Sequence, residues 1–259
     1  MIRHPLPFFS AALLLPIAVA GCAQFNAPSD IRHEFAELDR AYVTALALTN
    51  QSSPKATQAV TALQDHWKVF QERHYGSNGT DTSWQSDFNK VGCRIDVANT
   101  FLEQKDAQSA HETLEGVRFI LLDLRRRHQV DYYLDYLTKY HEAMEGLLAV
   151  VQGKTSETLT VSDLSTLRWR LSEAERQWAV VQAQPFDAAL YGFDGQRQER
   201  MRQYMQEETE ALGHLRAAVE SESGEGIVLA AQAIKPPFAK LFVLFGNWAP
   251  APSAPAASE

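Results

Sequence analysis

The chain has 259 residues, with 24 Lys and Arg against 32 Asp and Glu, a formal net charge of −8. No basic patch or basic helix face of the kind that engages phosphates stands against this acidic excess, which excludes a nucleic-acid binder and argues against a broad electrostatic grip on anionic lipid. Two cysteines, Cys22 and Cys93, are too few for a disulfide-stapled fold.

In chain order, Arg3 and His4 make a short basic start. Residues 6–20 form an uncharged apolar run of signal-peptide length, too short to span a bilayer as a stable helix. The run closes on Val19-Ala20-Gly21-Cys22, where small residues suit a protease cleft and the thiol can accept diacylglycerol. This segment resembles the lipobox of bacterial lipoproteins. The resemblance implies a signal peptide over residues 1–21, cleavage before Cys22, and diacylglycerol plus an N-acyl lipid such as palmitate on Cys22. It also implies a membrane-anchored protein of the cell envelope, because several acyl chains on one residue hold where one is marginal. Ala23 lacks the aspartate that favours inner-membrane retention, so in a Gram-negative cell the implied address is the outer membrane, facing the periplasm. Residues 22–30 would be a lipidated tether reaching about 25 Å. Arg3 is the one formally charged residue lost with the signal, so the mature chain carries −9. Cys93 is then the sole unmodified thiol, barred from an intramolecular disulfide and expected in or beside a core.

Apolar residues at three- and four-residue steps predict eight helices and no strand. Phe35, Leu38, Tyr42 and Ala45 mark the first; Val60, Leu63, Trp67 and Phe70 the second, opened by Ser53 as cap with Pro54 at the first helical position. Trp84, Phe88, Val91, Ile95, Ala98 and Leu102 mark the third. Ala110, Leu114, Val117, Leu121 and Leu124 mark the fourth, capped by Asp106 and ending in Arg125-Arg126-Arg127-His128, read as complementing the helix dipole. Leu134, Leu137, His141, Met144, Leu148 and Val151 mark the fifth, stopped by Gly153. Leu164, Leu167, Leu171, Ala174, Trp178 and Val181 mark the sixth; Met201, Tyr204, Glu208, Ala211, Leu215 and Ala218 the seventh; Ile227, Ala230, Ile234, Leu241 and Phe245 the eighth. Pro236-Pro237 should kink or interrupt the last of these, where two backbone donors are lost. Residues 249–259, rich in Pro, Ala and Ser, read as a disordered tail.

Stripes this narrow bury one face each, which suits bundles. The predicted class is all-α, two tandem up-down four-helix bundles over residues 31–129 and 130–248. A faint internal repeat supports it: Ala62-Leu63-Gln64-Asp65-His66-Trp67 parallels Glu173-Ala174-Glu175-Arg176-Gln177-Trp178, and the caps Asp106 and Ser223 fall at matching distances before similar helices. A single eight-helix array would give a similar pattern.

The candidate chemistry lies on the fourth and fifth helices. His141 stands on an apolar stripe with Glu145 one turn later, and His111 and Glu115 repeat that spacing with Arg118 on the same flank. A spacing of four residues puts both side chains on one face, as metal sites in bundles require. In a hairpin about Gln129 and Val130, residues whose numbers sum to about 259 face each other, which joins Arg118 to His141 and Glu115 to Met144 and Glu145. Two readings stay open: a structural polar network in which Arg118 pairs with the carboxylates, or a metal site of His111, Glu115, His141 and Glu145. In architecture the mature part resembles four-helix-bundle cytochromes of the b562 and c′ types. The resemblance stops at the haem ligands: there is no Cys-x-x-Cys-His, and neither unit has the methionine and histidine at both required places. Nucleophile elbows, phosphate loops and dinucleotide fingerprints are absent from the sequence. The expected function is therefore a non-enzymatic, membrane-anchored bundle that binds or scaffolds an envelope partner, needing no cofactor beyond its lipid. A metal- or haem-binding bundle is the alternative. Trp84, Tyr132, Tyr133 and Trp248 are candidates for the partner surface.

Overall fold

A computed structural model describes residues 29–79, 81–221 and 224–248. The signal segment, Cys22, most of the tether, Ser223 and the tail lie outside the described residues. Those described form nine α-helices and no strand: α1 Ser29–Asn50, α2 Ala56–His74, α3 Thr82–Glu103, α4 Ala107–Arg127, α5 Tyr133–Val151, α6 Val161–Ala183, α7 Gly195–Glu220, α8 Gly224–Ala233 and α9 Lys235–Val243. Short side chains start several of them. Asp81 accepts from the backbone N–H groups of Ser83 and Trp84 at α3, Asp106 from Ser109 at α4, and Asp194 from Arg197 at α7. Thr160 and Asp163 form a reciprocal capping box at α6.

Helix α1 packs on α2 and α4, α2 on α3, and α3 on α4, closing one four-helix ring. Helix α5 packs on α6, α6 on α7, and α7 on α8 and α9, which return to α5 and close a second. The rings meet where α4 and α1 contact α5 and α9. The apolar stripes of both rings join one continuous core, from Phe35 and Trp67 to Trp178 and Leu241. The all-α, two-bundle expectation holds.

The interruption expected at Pro236-Pro237 is present: the eighth helix is divided at Ile234, with Pro236 and Pro237 in the first turn of α9, where a missing N–H costs nothing. Three local expectations change. Helix α2 begins at Ala56, later than Ser53-Pro54; Ser53 Oγ accepts from the Lys55 N–H in the preceding turn. Cys93 is exposed rather than core-lining, because it lies two residues from both Val91 and Ile95 and so on the opposite side of the helix from that stripe. Trp84, Tyr132 and Tyr133 are buried, at 3%, 2% and 5% exposure, and are not surface aromatics. Between α6 and α7, residues 184–194 send Phe186, Tyr191 and Phe193 into an aromatic cluster with Tyr133 and Phe245.

Arg125 is the largest correction. It does not sit solvated at a helix end but is 2% exposed in the seam between the rings. Its Nη2 donates to Asp135 Oδ1 of α5 at 2.6 Å, its Nη1 lies 3.6 Å from Asp39 Oδ2 of α1, and its guanidinium lies against the rings of Phe35 and Tyr132. Burial opposes the charged guanidinium, and Asp135 and Asp39 more than offset it. Burial also pushes the Asp39 carboxyl up to about 6, against the pull of Arg125.

Candidate functional site: a cavity between the two bundles

The seam opens, on the side of the fourth and fifth helices away from their connection, into a cavity of about 330 Å³. Each ring supplies two walls: Val43, Leu46 and Ala47 from α1, His111, Glu115 and Arg118 from α4, His141, Met144 and Glu145 from α5, and Lys235, Phe238, Ala239 and Phe242 from α9. The hairpin register inferred from sequence is what assembles them. Arg118 and His141 line the same space, and Arg125 meets Asp135 by the same antiparallel rule. The volume is that of a small-molecule site and holds about ten waters.

Arg118 is the deepest polar group, 4% exposed. Its Nη2 donates to Glu115 Oε1 at 2.8 Å, and its guanidinium carbon stands 4.6 Å from the centre of the Phe242 ring. Nε and Nη1 are closed off from water and have no hydrogen-bond partner. Beside it, Tyr42 donates its hydroxyl to Leu114 O at 2.9 Å, tying α1 to α4 below the cavity.

The two histidines are held differently. His111 Nδ1 lies 3.1 Å from Leu46 O, a bond that assigns the ring proton to Nδ1 and turns Nε2 toward Glu115 Oε1 at 3.6 Å. His141 lies on Phe238 with ring centroids 5.3 Å apart, and its Nε2 is 3.4 Å from Glu145 Oε1. Burial lowers the His141 pKa, the Glu145 hydrogen bond opposes this, and Arg118 lowers it further, so the ring is neutral near pH 7. Its Nδ1 is buried without a partner. Glu145 is held down to about 2 by the hydrogen bond from His141, against burial, with Lys235 Nζ adding a 2.8 Å ion pair at the mouth.

Of the residues singled out in the sequence, His111, Glu115, Arg118, His141 and Glu145 therefore share one cavity. Lys235, Phe238 and Phe242 were not anticipated. Lys235 sits at the break before Pro236-Pro237, where no helical period ties it to the fifth helix. Each carboxylate facing the cavity interior already holds a fixed cation: Glu115 has Arg118, and Glu145 has Lys235. Among the described residues no group of three or more His, Cys, Asp or Glu side chains is arranged to hold a metal ion. The arrangement presents an apolar wall, aromatic faces and a guanidinium buried in the wall and paired with Glu115. No protein-family model, curated protein or solved structure matches this chain.

Proposed function

We propose that the protein is a lipid-anchored protein of the cell envelope whose two bundles bind a ligand or partner without transforming it. One observation carries the binding half: a cavity built from both rings, with Arg118 buried in its wall and only partly satisfied. The anchoring half rests on Val19-Ala20-Gly21-Cys22. The experiment combines palmitate labelling, membrane fractionation and native mass spectrometry of the detergent-extracted protein. The wild type should carry label and sediment with membranes, and Cys22→Ser should do neither. A lipidated, membrane-bound Cys22→Ser protein would remove the anchor from the proposal. Extracted wild type should also retain a non-covalent companion that is lost in Ala239→Trp, a substitution that fills the cavity.

The convergence of His111, Glu115, His141 and Glu145 favours a second reading, a metal- or haem-loaded bundle. Stoichiometric metal, or a Soret band lost in His141→Ala, would replace the first reading with this one.

A further inference from the structure

Within the binding reading, the contacts of two glutamates narrow the ligand. Glu115 of α4 and Glu145 of α5 both line the cavity, and the charges of both act on His141. Each uses one oxygen only. His111 Nε2 and Arg118 Nη2 lie 3.6 and 2.8 Å from Glu115 Oε1. His141 Nε2 and Lys235 Nζ lie 3.4 and 2.8 Å from Glu145 Oε1. Among the described residues neither Oε2 has a polar partner, and neither belongs to the oxygens closed off from water. Their side chains are 25% and 39% exposed, so these two acceptors are open to a ligand, whereas Arg118 Nε and Nη1 are not. The fixed charges of the lining are also uneven: Glu112, Glu115 and Glu145 stand against Arg118 and Lys235, in an acidic protein. An anion would add to this carboxylate excess and a cation would relieve it. The rest of the wall is apolar, formed by Leu46, Met144, Phe238 and Phe242.

We infer that the cavity takes a small organic amine, bound as its ammonium ion, which donates to Glu115 Oε2 and Glu145 Oε2 while its apolar body lies against Leu46, Met144 and Phe238. An ionised carboxylate accepts at both oxygens, so Arg118 and Lys235 keep their places on Oε1 and no fixed ion pair has to break. The apolar wall distinguishes such a ligand from a hydrated inorganic cation, which gains nothing by lying against it. One glutamate comes from each ring, so the ammonium also bridges the seam. This rests on the binding reading proposed above and goes beyond it in naming the ligand class.

Three probes with the same body separate the possibilities: hexylamine, 1-hexanol and hexanoate, titrated calorimetrically into the full protein at neutral pH. Hexylamine should bind about tenfold more tightly than hexanol, and hexanoate most weakly. Two variants at the mouth should move the amine in opposite directions. Glu145→Gln removes one acceptor charge and leaves only the half-exposed Lys235 without its partner, so the fold is kept; it should weaken hexylamine about tenfold and leave hexanol unchanged. Lys235→Met removes the competing cation and should tighten hexylamine. Ala239→Trp fills the space and should abolish binding in a protein whose helical content is unchanged. Tighter binding of hexanol or hexanoate would overturn the ligand class and leave the binding reading standing. Equal amine affinity in Glu145→Gln and Lys235→Met, or amine binding that survives Ala239→Trp, would place the amine elsewhere and overturn the inference. If no probe binds, the ligand class fails, while the companion molecule sought by native mass spectrometry still decides the broader reading.

Discussion

Glu208 shows how a polar residue on an apolar stripe is accommodated. It occupies a core position of α7 and is fully buried. Tyr140 of α5 donates its hydroxyl to Oε1, while Oε2 has no partner. Burial pushes the carboxyl up to about 7, against Tyr140 and the backbone N–H of Phe238, which favour the ionised form. A folded-state pKa above the unfolded value means that the native protein holds the proton more tightly. The stability contributed by this group is thus complete below about pH 4.5 and is lost as pH rises through about 7. Glu208→Gln, which cannot ionise, should be close to neutral at pH 5 and stabilise the protein by about 3 kcal/mol at pH 8.5. Urea denaturation at both pH values measures this, and an equal effect at the two would show that ionisation is not the cause. The sequence placed Glu208 on the buried stripe. It did not show what would receive it, because Tyr140 lies 68 residues away on another helix.

At the scale of the helix, local chemistry explains most boundaries. Asp106 was identifiable as a cap because an aspartate precedes an apolar period, and Gly153 as a stop because it takes positive φ just after α5. Ser53-Pro54 was misleading: the same pair of residue types also suits a turn, and the turn prevailed. Glycines inside helices are a weakness that can be tested. Gly213 lies mid-α7, exposed, and a Cβ there would meet nothing within 4 Å. Gly213→Ala should raise stability by about 0.5–1 kcal/mol through lower backbone entropy in the unfolded chain. Gly192 is the contrast, with φ +64 and Arg40 Nη2 at 2.9 Å from a Cβ, so Gly192→Ala should destabilise. Paired thermal melts check both signs.

Across the whole molecule, the seam is held by the buried Asp39–Arg125–Asp135 group beside the shared apolar core. Removing Arg125 alone leaves two buried carboxylates facing each other, so Arg125→Met should cost about 3–5 kcal/mol. Adding Asp39→Asn and Asp135→Asn should recover much of that loss, because the uncompensated charges go with the cation. Denaturation of the single and triple variants decides it: equal destabilisation of both would mean that packing, not charge, dominates the seam. Gly226–Val243 is long and apolar enough to cross a membrane by composition. It is, however, interrupted at Ile234 and folded against α5 and α7.

By itself the sequence determined the helical class, the register of each stripe, the Asp106 cap, and the pairing of the fourth and fifth helices across a short connection. These follow from periodicity and local backbone chemistry, which act over a few residues. It also carried the lipobox-like segment on which the anchoring proposal rests. Tertiary structure decided which polar residues are buried and what meets them. Arg125 read as a helix-end cation until α1 and α5 closed over it, and nothing in the pattern tied Lys235 to Glu145 until α9 folded back onto α5. The cavity belongs to neither bundle alone. Its walls come from four helices between residues 43 and 243, and only docking of the two rings removes their side chains from water and leaves Arg118 with donors to spare.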